Sequence, residues 1–136
     1  MYLHHKVIVI NISKIRRLKI ARVRSNRKMT ETKNYGVVLV TAPSHTEATT
    51  IARTLVQEKL AACVTMLPVH SIYTWQQEIH ENDEWQLLIK SEQRHFYHLE
   101  RRIRELHSYE VPEVILLPIV SGSLPYLQWI SEQVRQ

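Results

Sequence analysis

The apolar segments of this chain alternate between strand and helix periodicity in an order that few folds can accommodate. Apolar β-branched runs predict strands, and apolar residues spaced three or four apart predict helices. Strands are predicted at residues 36–42, 62–80, 85–90 and 114–117, and helices at residues 44–60, around Phe96, Leu99, Ile103 and Leu106, and around Tyr126, Leu127, Ile130 and Val134. This β-α-β-β-α-β order with a C-terminal helix predicts an α+β protein with the ferredoxin-like split βαβ sandwich.

The second predicted strand is too long for a small domain. Residues 62–80 would span about 60 Å as one extended strand, whereas a compact domain of this size has a radius of gyration of about 13 Å. We therefore expect the hairpin 62–90, with its turn at residues 81–83, to bend at Pro68 or to project from the domain. A projecting hairpin that carries Tyr73, Trp75 and Trp85 needs a neighbour to cover it, which favours oligomerisation.

Glycine scarcity excludes two classes of nucleotide-binding site. Gly36 and Gly122 are the only glycines of the chain. A phosphate-binding loop or a dinucleotide fingerprint needs several glycines close together, because the backbone amides must approach phosphate. Neither can form here, and we expect no organic cofactor.

The net charge of +5 belongs to the first part of the chain. Nine of the 18 lysines and arginines lie within residues 1–28, which contain no acid, so the other nine accompany all 13 acidic residues and give the remainder a net charge of −4. The basic pI therefore does not predict a nucleic-acid-binding fold. We expect no nucleic-acid partner.

Residues 1–34 form a basic leader for which three interpretations compete. A targeting peptide would be rich in basic residues and poor in acids, and a functional arm would use the same charge to contact phosphate or an anionic surface. The interpretation we favour is a disordered or over-extended N-terminus that is not part of the working protein, because Met29 precedes a short polar run that leads into the first strand. The folded domain is then expected to comprise residues 35–136.

Cysteine content and hydropathy bear on the compartment. Cys63 is the only cysteine, so no intrachain disulfide can form, which fits a reducing compartment. No apolar run reaches the roughly 18 residues of a membrane helix. We therefore expect a cytoplasmic protein without a membrane partner.

Five motifs of the folded part resemble the CutA divalent-cation tolerance family in order and spacing. They cover essentially residues 36–134, about three quarters of the chain. The motifs are Ala-Ala-Cys-Val at 61–64, Ser-Ile-Tyr-Thr-Trp at 71–75, Glu-Trp-Gln-Leu-Leu-Ile-Lys at 84–90, His-Ser-Tyr-Glu-Val-Pro-Glu at 107–113 and Tyr-Leu-Gln-Trp-Ile at 126–130. Thr65, Gln77 and Ser108 depart from the family pattern, which commonly has asparagine, glycine and proline at these positions.

The resemblance implies a homotrimer in which the long hairpins pair between subunits, and an architecture similar to that of the PII signalling proteins. It also implies a role in divalent-cation homeostasis, with copper as the usual ion. On this basis Cys63, His107 and Glu110 are candidate thiolate, imidazole and carboxylate ligands, a set that suits copper or zinc. Residues expected at the cleft or subunit interface are Tyr73, Trp75, Trp85, Lys90, Tyr109 and Trp129.

Two other interpretations of the candidate residues stay open. Cys63 could be a small strand residue and His107 a histidine stabilised at a helix C-terminus. The trimer could instead be a PII-like signalling or scaffold module that senses a small anion or metabolite through Lys90 and the arginines of residues 94–104. Because Asp83 is the only aspartate and lies in a predicted turn, a Ser-His-Asp triad is disfavoured, and we expect no enzymatic activity.

Overall fold

A computed structural model describes residues 34–136 of the chain, so the predicted basic leader lies outside the described residues. The strands are β1 (Tyr35–Ala42), β2 (Cys63–Trp75), β3 (Glu78–Glu92) and β4 (Ile115–Pro118). The helices are α1 (His45–Gln57), α2 (Phe96–Leu106), preceded by a 3₁₀ turn at Gln93–His95, and α3 (Leu124–Gln133). None of these helices is both long enough and apolar enough to cross a membrane.

The four strands form one antiparallel sheet in the order β2-β3-β1-β4, which confirms the α+β class and the ferredoxin-like order of elements. Helices α1 and α2 pack on one face of the sheet. The core between them and the sheet contains fully buried aliphatic side chains from all these elements, including Val38, Val40, Ile51, Leu55, Leu87, Ile89, Leu99 and Ile103. Helix α3 packs separately, through Ile130 and Val134, on Ala62 and Tyr35.

Helix α1 begins with one of the two hydrogen bonds of a capping box. Ser44 is the N-cap, and its hydroxyl accepts a hydrogen bond from the amide of Glu47 at 3.2 Å. The Glu47 carboxylate does not return to the amide of Ser44, as it would in a full capping box. It binds instead the amide and the hydroxyl of Ser108, at 2.7 and 2.8 Å. The first turn of α1 is thereby joined to the loop that follows α2.

The long hairpin differs from the sequence prediction in its turn. The turn lies at Gln76 and Gln77, not at residues 81–83, and both glutamines have positive φ, 50° and 68°. Such a two-residue turn normally uses asparagine, aspartate or glycine, so two glutamines gave no turn signal. The polar residues 81–83 belong to β3, where alternate side chains of a projecting strand meet solvent on both faces.

Pro68 does not interrupt β2, and the hairpin projects from the domain, as the second alternative expected. β2 continues through Pro68, which pairs with Trp85. A proline is tolerated there because β2 is an edge strand, on which alternate N–H groups point away from the ladder. β1 pairs only with residues 85–92 of β3, so residues 69–84 project beyond the rest of the sheet.

The face of the sheet opposite α1 and α2 carries a group of apolar side chains that we call the open sheet face. Leu39 and Leu88 are paired near its centre and are half-buried. Leu67, Ile115 and Leu117 are 39%, 46% and 45% exposed. An apolar patch on two central and two edge strands is typical of a surface that another protein chain covers.

Candidate functional site

A cavity lies between the projecting hairpin and the loop of residues 108–113, and we call it the hairpin pocket. Its volume is about 690 Å³. Three aromatic residues and three glutamates dominate its wall, together with hydroxyl and aliphatic side chains: Tyr73, Trp75, Tyr109; Glu84, Glu110, Glu113; Thr41, Ser71, Ser108, Ile72 and Val111. No lysine, arginine or histidine is among these lining residues of the described part of the chain.

His107 fixes the start of the loop that forms one wall of the pocket. Its side chain is completely buried, and Nε2 donates to the carbonyl oxygen of Thr41 at 2.7 Å. Nδ1 accepts a hydrogen bond from the amide of Tyr109 at 3.0 Å and lies 3.5 Å from the Glu47 carboxylate. Both ring nitrogens are therefore engaged, one as a donor and one as an acceptor.

Tyr109 joins the loop to the hairpin. Its ring packs on that of His107, with centroids 4.9 Å apart, and its hydroxyl donates to Oε1 of Glu84 at 2.9 Å. Glu84 is only 5% exposed, although it lies on the projecting part of β3. Burial, and then the hydrogen bond to Glu84, raise the pKa of Tyr109 well above its usual range, so the hydroxyl stays protonated and continues to donate.

One protomer does not bring the three candidate metal ligands together. Lys90 on β3 pairs with Cys63 on one side and with Val37 of β1 on the other, so Cys63 lies at the level of Val37 along the sheet. His107, in contrast, binds the carbonyl oxygen of Thr41, further along β1. Four strand residues separate these two levels, or about 13 Å. Glu110 lines the hairpin pocket. Within residues 34–136, no group of three or more His, Cys, Asp and Glu side chains is placed to hold a metal ion.

The residues expected at the cleft or interface fall in four places. Tyr73, Trp75 and Tyr109 line the hairpin pocket. Trp85 lies on the helix-covered face, with its ring 4.7 Å from that of His45. Lys90 is at the Cys63 end of the sheet, where Nζ donates to Thr65 Oγ1 at 3.1 Å and lies 3.9 Å from Cys63 Sγ. Trp129 is on α3, stacked on Tyr126.

Sequence reasoning gave no site role to two of the three glutamates that line the pocket, Glu84 and Glu113. Glu84 binds Tyr109, and Glu113 accepts from Nε2 of Gln86 at 3.2 Å. The position of Glu84 could have been predicted from the sequence. Strand alternation places it on the same face as Gln86 and Leu88, directly before a buried run.

A separate polar cluster lies on the other face of the projecting hairpin. His70 bonds Asp83 through Nδ1 at 2.8 Å and Glu81 through Nε2 at 2.9 Å. The hydrogen bond to Glu81, followed by the one to Asp83, raises the pKa of His70 above its ordinary value of 6.5. The protonated ring bridges the two carboxylates, so the cluster links neighbouring strands at their exposed end.

This cluster predicts a pH-dependent contribution to stability. A histidine whose pKa is raised by folding contributes its full stabilisation below its unfolded pKa and loses it as pH rises through its folded pKa. We therefore expect His70→Gln to lower the free energy of unfolding at about pH 5.5 and to have little effect at about pH 9. The difference will be small because the pair is exposed. Urea unfolding at both pH values measures it, with His98→Gln on α2 as the control; an equal effect at both pH values would contradict the assignment.

Comparison with known proteins identifies the family. A model of the CutA1 divalent ion tolerance protein family matches residues 36–133. The chain belongs to the CutA1 family. The Divalent-cation tolerance protein CutA of Thermus thermophilus is 48% identical over 97 residues, which are 71% of this chain and 94% of that protein. The Protein CutA, chloroplastic, of Arabidopsis thaliana is 41% identical over 100 residues, which are 73% of this chain and 55% of that protein.

Solved CutA1 structures support the same conclusion. The divalent cation tolerance protein (Cut A1) from Thermus thermophilus superposes with a TM-score of 0.73 at 46% sequence identity. The superposition covers 74% of this chain and 99% of that chain. The superposed part of this chain therefore spans nearly all of that CutA1 chain, and the resemblance of the five motifs to the CutA family is confirmed.

Proposed function

We propose that this chain is a homotrimeric, non-enzymatic divalent-cation tolerance protein of the CutA1 type that binds copper weakly between its subunits. Membership of the CutA1 family carries the proposal. The hairpin pocket argues against the alternative of a small-anion sensor at this position, because its charged lining residues are glutamates. A reducing compartment such as the cytoplasm fits the single cysteine.

Two features of the described domain support a trimer. The open sheet face exposes aliphatic side chains, including Ile115 and Leu117, that are costly to leave in water. The projecting hairpin exposes Ile79 beside its turn, and β2 presents an unpaired strand edge. A closed cyclic oligomer covers both surfaces with identical contacts in every subunit.

The proposed ligands are Cys63, His107 and Glu110, contributed by more than one subunit. This arrangement is required because the strand level of Cys63 and that of the Thr41 carbonyl, which His107 binds, are about 13 Å apart along one protomer. His107 would also have to exchange the amide hydrogen bond from Tyr109 for the ion. Weak binding is consistent with that exchange, since the lost hydrogen bond offsets part of the gain from coordination.

Native mass spectrometry of the untagged protein, before and after addition of copper, tests both parts of the proposal. We expect a trimer that takes up ions in multiples of three and that loses this uptake in Cys63→Ser. The matched control is Thr65→Ala, two residues along the same strand and also in contact with Lys90, which should bind copper normally. A trimer that stays bare would reject metal binding, and unchanged uptake in Cys63→Ser would reject the ligand assignment.

A further inference from the structure

We propose that the hairpin pocket binds a small organic cation of the substituted-ammonium class. The proposal goes beyond divalent-cation tolerance. It shares one residue, Glu110, with the proposed metal ligands, and neither Cys63 nor His107 lines the pocket. It rests on the charge, the aromatic lining and the size of the pocket, which are independent observations.

The charge of the lining selects a cation. Glu84, Glu110 and Glu113 line the pocket, with no basic residue among the lining side chains of the described part of the chain. Two of these carboxylates are held in place: Glu84 accepts from the Tyr109 hydroxyl at 2.9 Å, and Glu113 accepts from Gln86 at 3.2 Å. Carboxylates around a partly enclosed cavity generate a negative potential that concentrates cations and repels anions.

The aromatic side chains select an organic cation. The faces of Tyr73, Trp75 and Tyr109 carry partial negative charge and attract an alkylated ammonium group, as in the aromatic cages that recognise such groups. Tyr73 is fixed by stacking on His80, with centroids 5.8 Å apart, and by a hydrogen bond from Asn82 to its hydroxyl. Tyr109 is fixed by His107 and Glu84. Rings held in place before binding lose little entropy when a ligand arrives.

The size of the pocket favours a molecule over a bare metal ion. A cavity of about 690 Å³ falls within the range typical of small-molecule sites. A metal ion would instead need several ligand atoms converging on one point, and no such group of three exists within residues 34–136. The side chains of Thr41 and Ser71 add hydroxyl groups to the lining, which suit a polar substituent on the ligand.

Binding of choline and of its neutral isostere 3,3-dimethyl-1-butanol to the full chain, measured by isothermal titration calorimetry, tests the charge requirement. The two probes have nearly the same shape and differ in the positive charge. We expect choline to bind at least about tenfold more tightly, because cation–π contacts and carboxylates act only on the cation. Equal affinities would show a merely apolar cavity, and absence of choline binding would reject the site; either result overturns the proposal.

Variants of the pocket test its location. Trp75→Leu is expected to weaken choline binding about tenfold, whereas Trp75→Phe keeps an aromatic face and most of the affinity. Trp129→Leu is the matched control, because Trp129 is 38% exposed, close to the 43% of Trp75, but lies on α3. Glu110→Gln is expected to weaken choline binding by several-fold, and Glu132→Gln on α3 to leave it unchanged. Normal choline binding by both Trp75→Leu and Glu110→Gln would overturn the proposal.

Copper uptake distinguishes this proposal from the proposed function. Trp75→Leu should take up copper as the wild type does, because an indole is not one of the proposed ligands. Cys63→Ser should bind choline normally, because Cys63 lies at the other end of the sheet. Loss of choline binding in Cys63→Ser would place the cation elsewhere and reject the hairpin pocket.

Discussion

Leu88→Glu is expected to dissociate the proposed trimer into folded monomers. Leu88 is paired with Leu39 near the centre of the open sheet face and is half-buried within a protomer, so a glutamate there can reach water in the monomer. In a trimer assembled through this face, three carboxylates would be buried without partners, each at a cost of several kcal/mol. Size-exclusion chromatography with light scattering measures the mass, and circular dichroism reports whether the monomer keeps its fold.

A control separates loss of the interface from loss of solubility or fold. Val56→Glu introduces the same charge at an apolar residue that is 42% exposed, on α1 and therefore on the opposite side of the sheet. We expect Val56→Glu to remain trimeric. If Leu88→Glu is a trimer of wild-type stability, the open sheet face is not the subunit interface, and the projecting hairpin must supply the contacts alone.

The sequence predicts the fold well because its periodicities are strong. The strand of residues 36–42, the helix that Ser44 caps and the apolar stripe of α2 all match the observed elements. The turn of the long hairpin could not be predicted, because Gln76 and Gln77 adopt left-handed backbone conformations that their side chains do not favour. Pairing of β2 with β3 over 13 residue pairs compensates for the cost of this turn. Turn propensities do not include that pairing, so they could not indicate the turn.

The candidate site is less predictable from sequence, because contacts between distant segments create it. His107 is 66 residues from Thr41, and Tyr109 is 25 residues from Glu84, yet both pairs are within hydrogen-bonding distance. Sequence reasoning gave site roles to His107 and Tyr109 but none to Thr41 or Glu84, although Glu84 begins one of the five motifs. The cysteine was grouped with them by family resemblance, whereas the strand register places it at the other end of the sheet. Only the register, which sequence alone does not give, separates the two ends.

The burial of His107 gives it a structural role that can be measured apart from any metal. His107→Ala removes the Nε2–H group that donates to the Thr41 carbonyl and the Nδ1 atom that accepts from the Tyr109 amide. It also leaves a cavity beside Glu47. Each buried group left without a partner costs about 1–3 kcal/mol. We therefore expect the free energy of unfolding, measured by urea at fixed protein concentration, to fall by about 3 kcal/mol. His98→Ala, on the exposed face of α2, should change it by no more than about 0.5 kcal/mol.

The same variant connects the stability of the loop to the hairpin pocket. Because the amide and ring of Tyr109 both contact His107, the loss of the imidazole frees Tyr109 to move away from Glu84. His107→Ala should therefore weaken choline binding although His107 does not line the pocket. His107→Gln, which can still donate to Thr41, should fall between the wild type and His107→Ala in stability. If His107→Ala loses less than about 1 kcal/mol, the contacts of the imidazole do not hold the loop, and its two hydrogen bonds must be replaced by water.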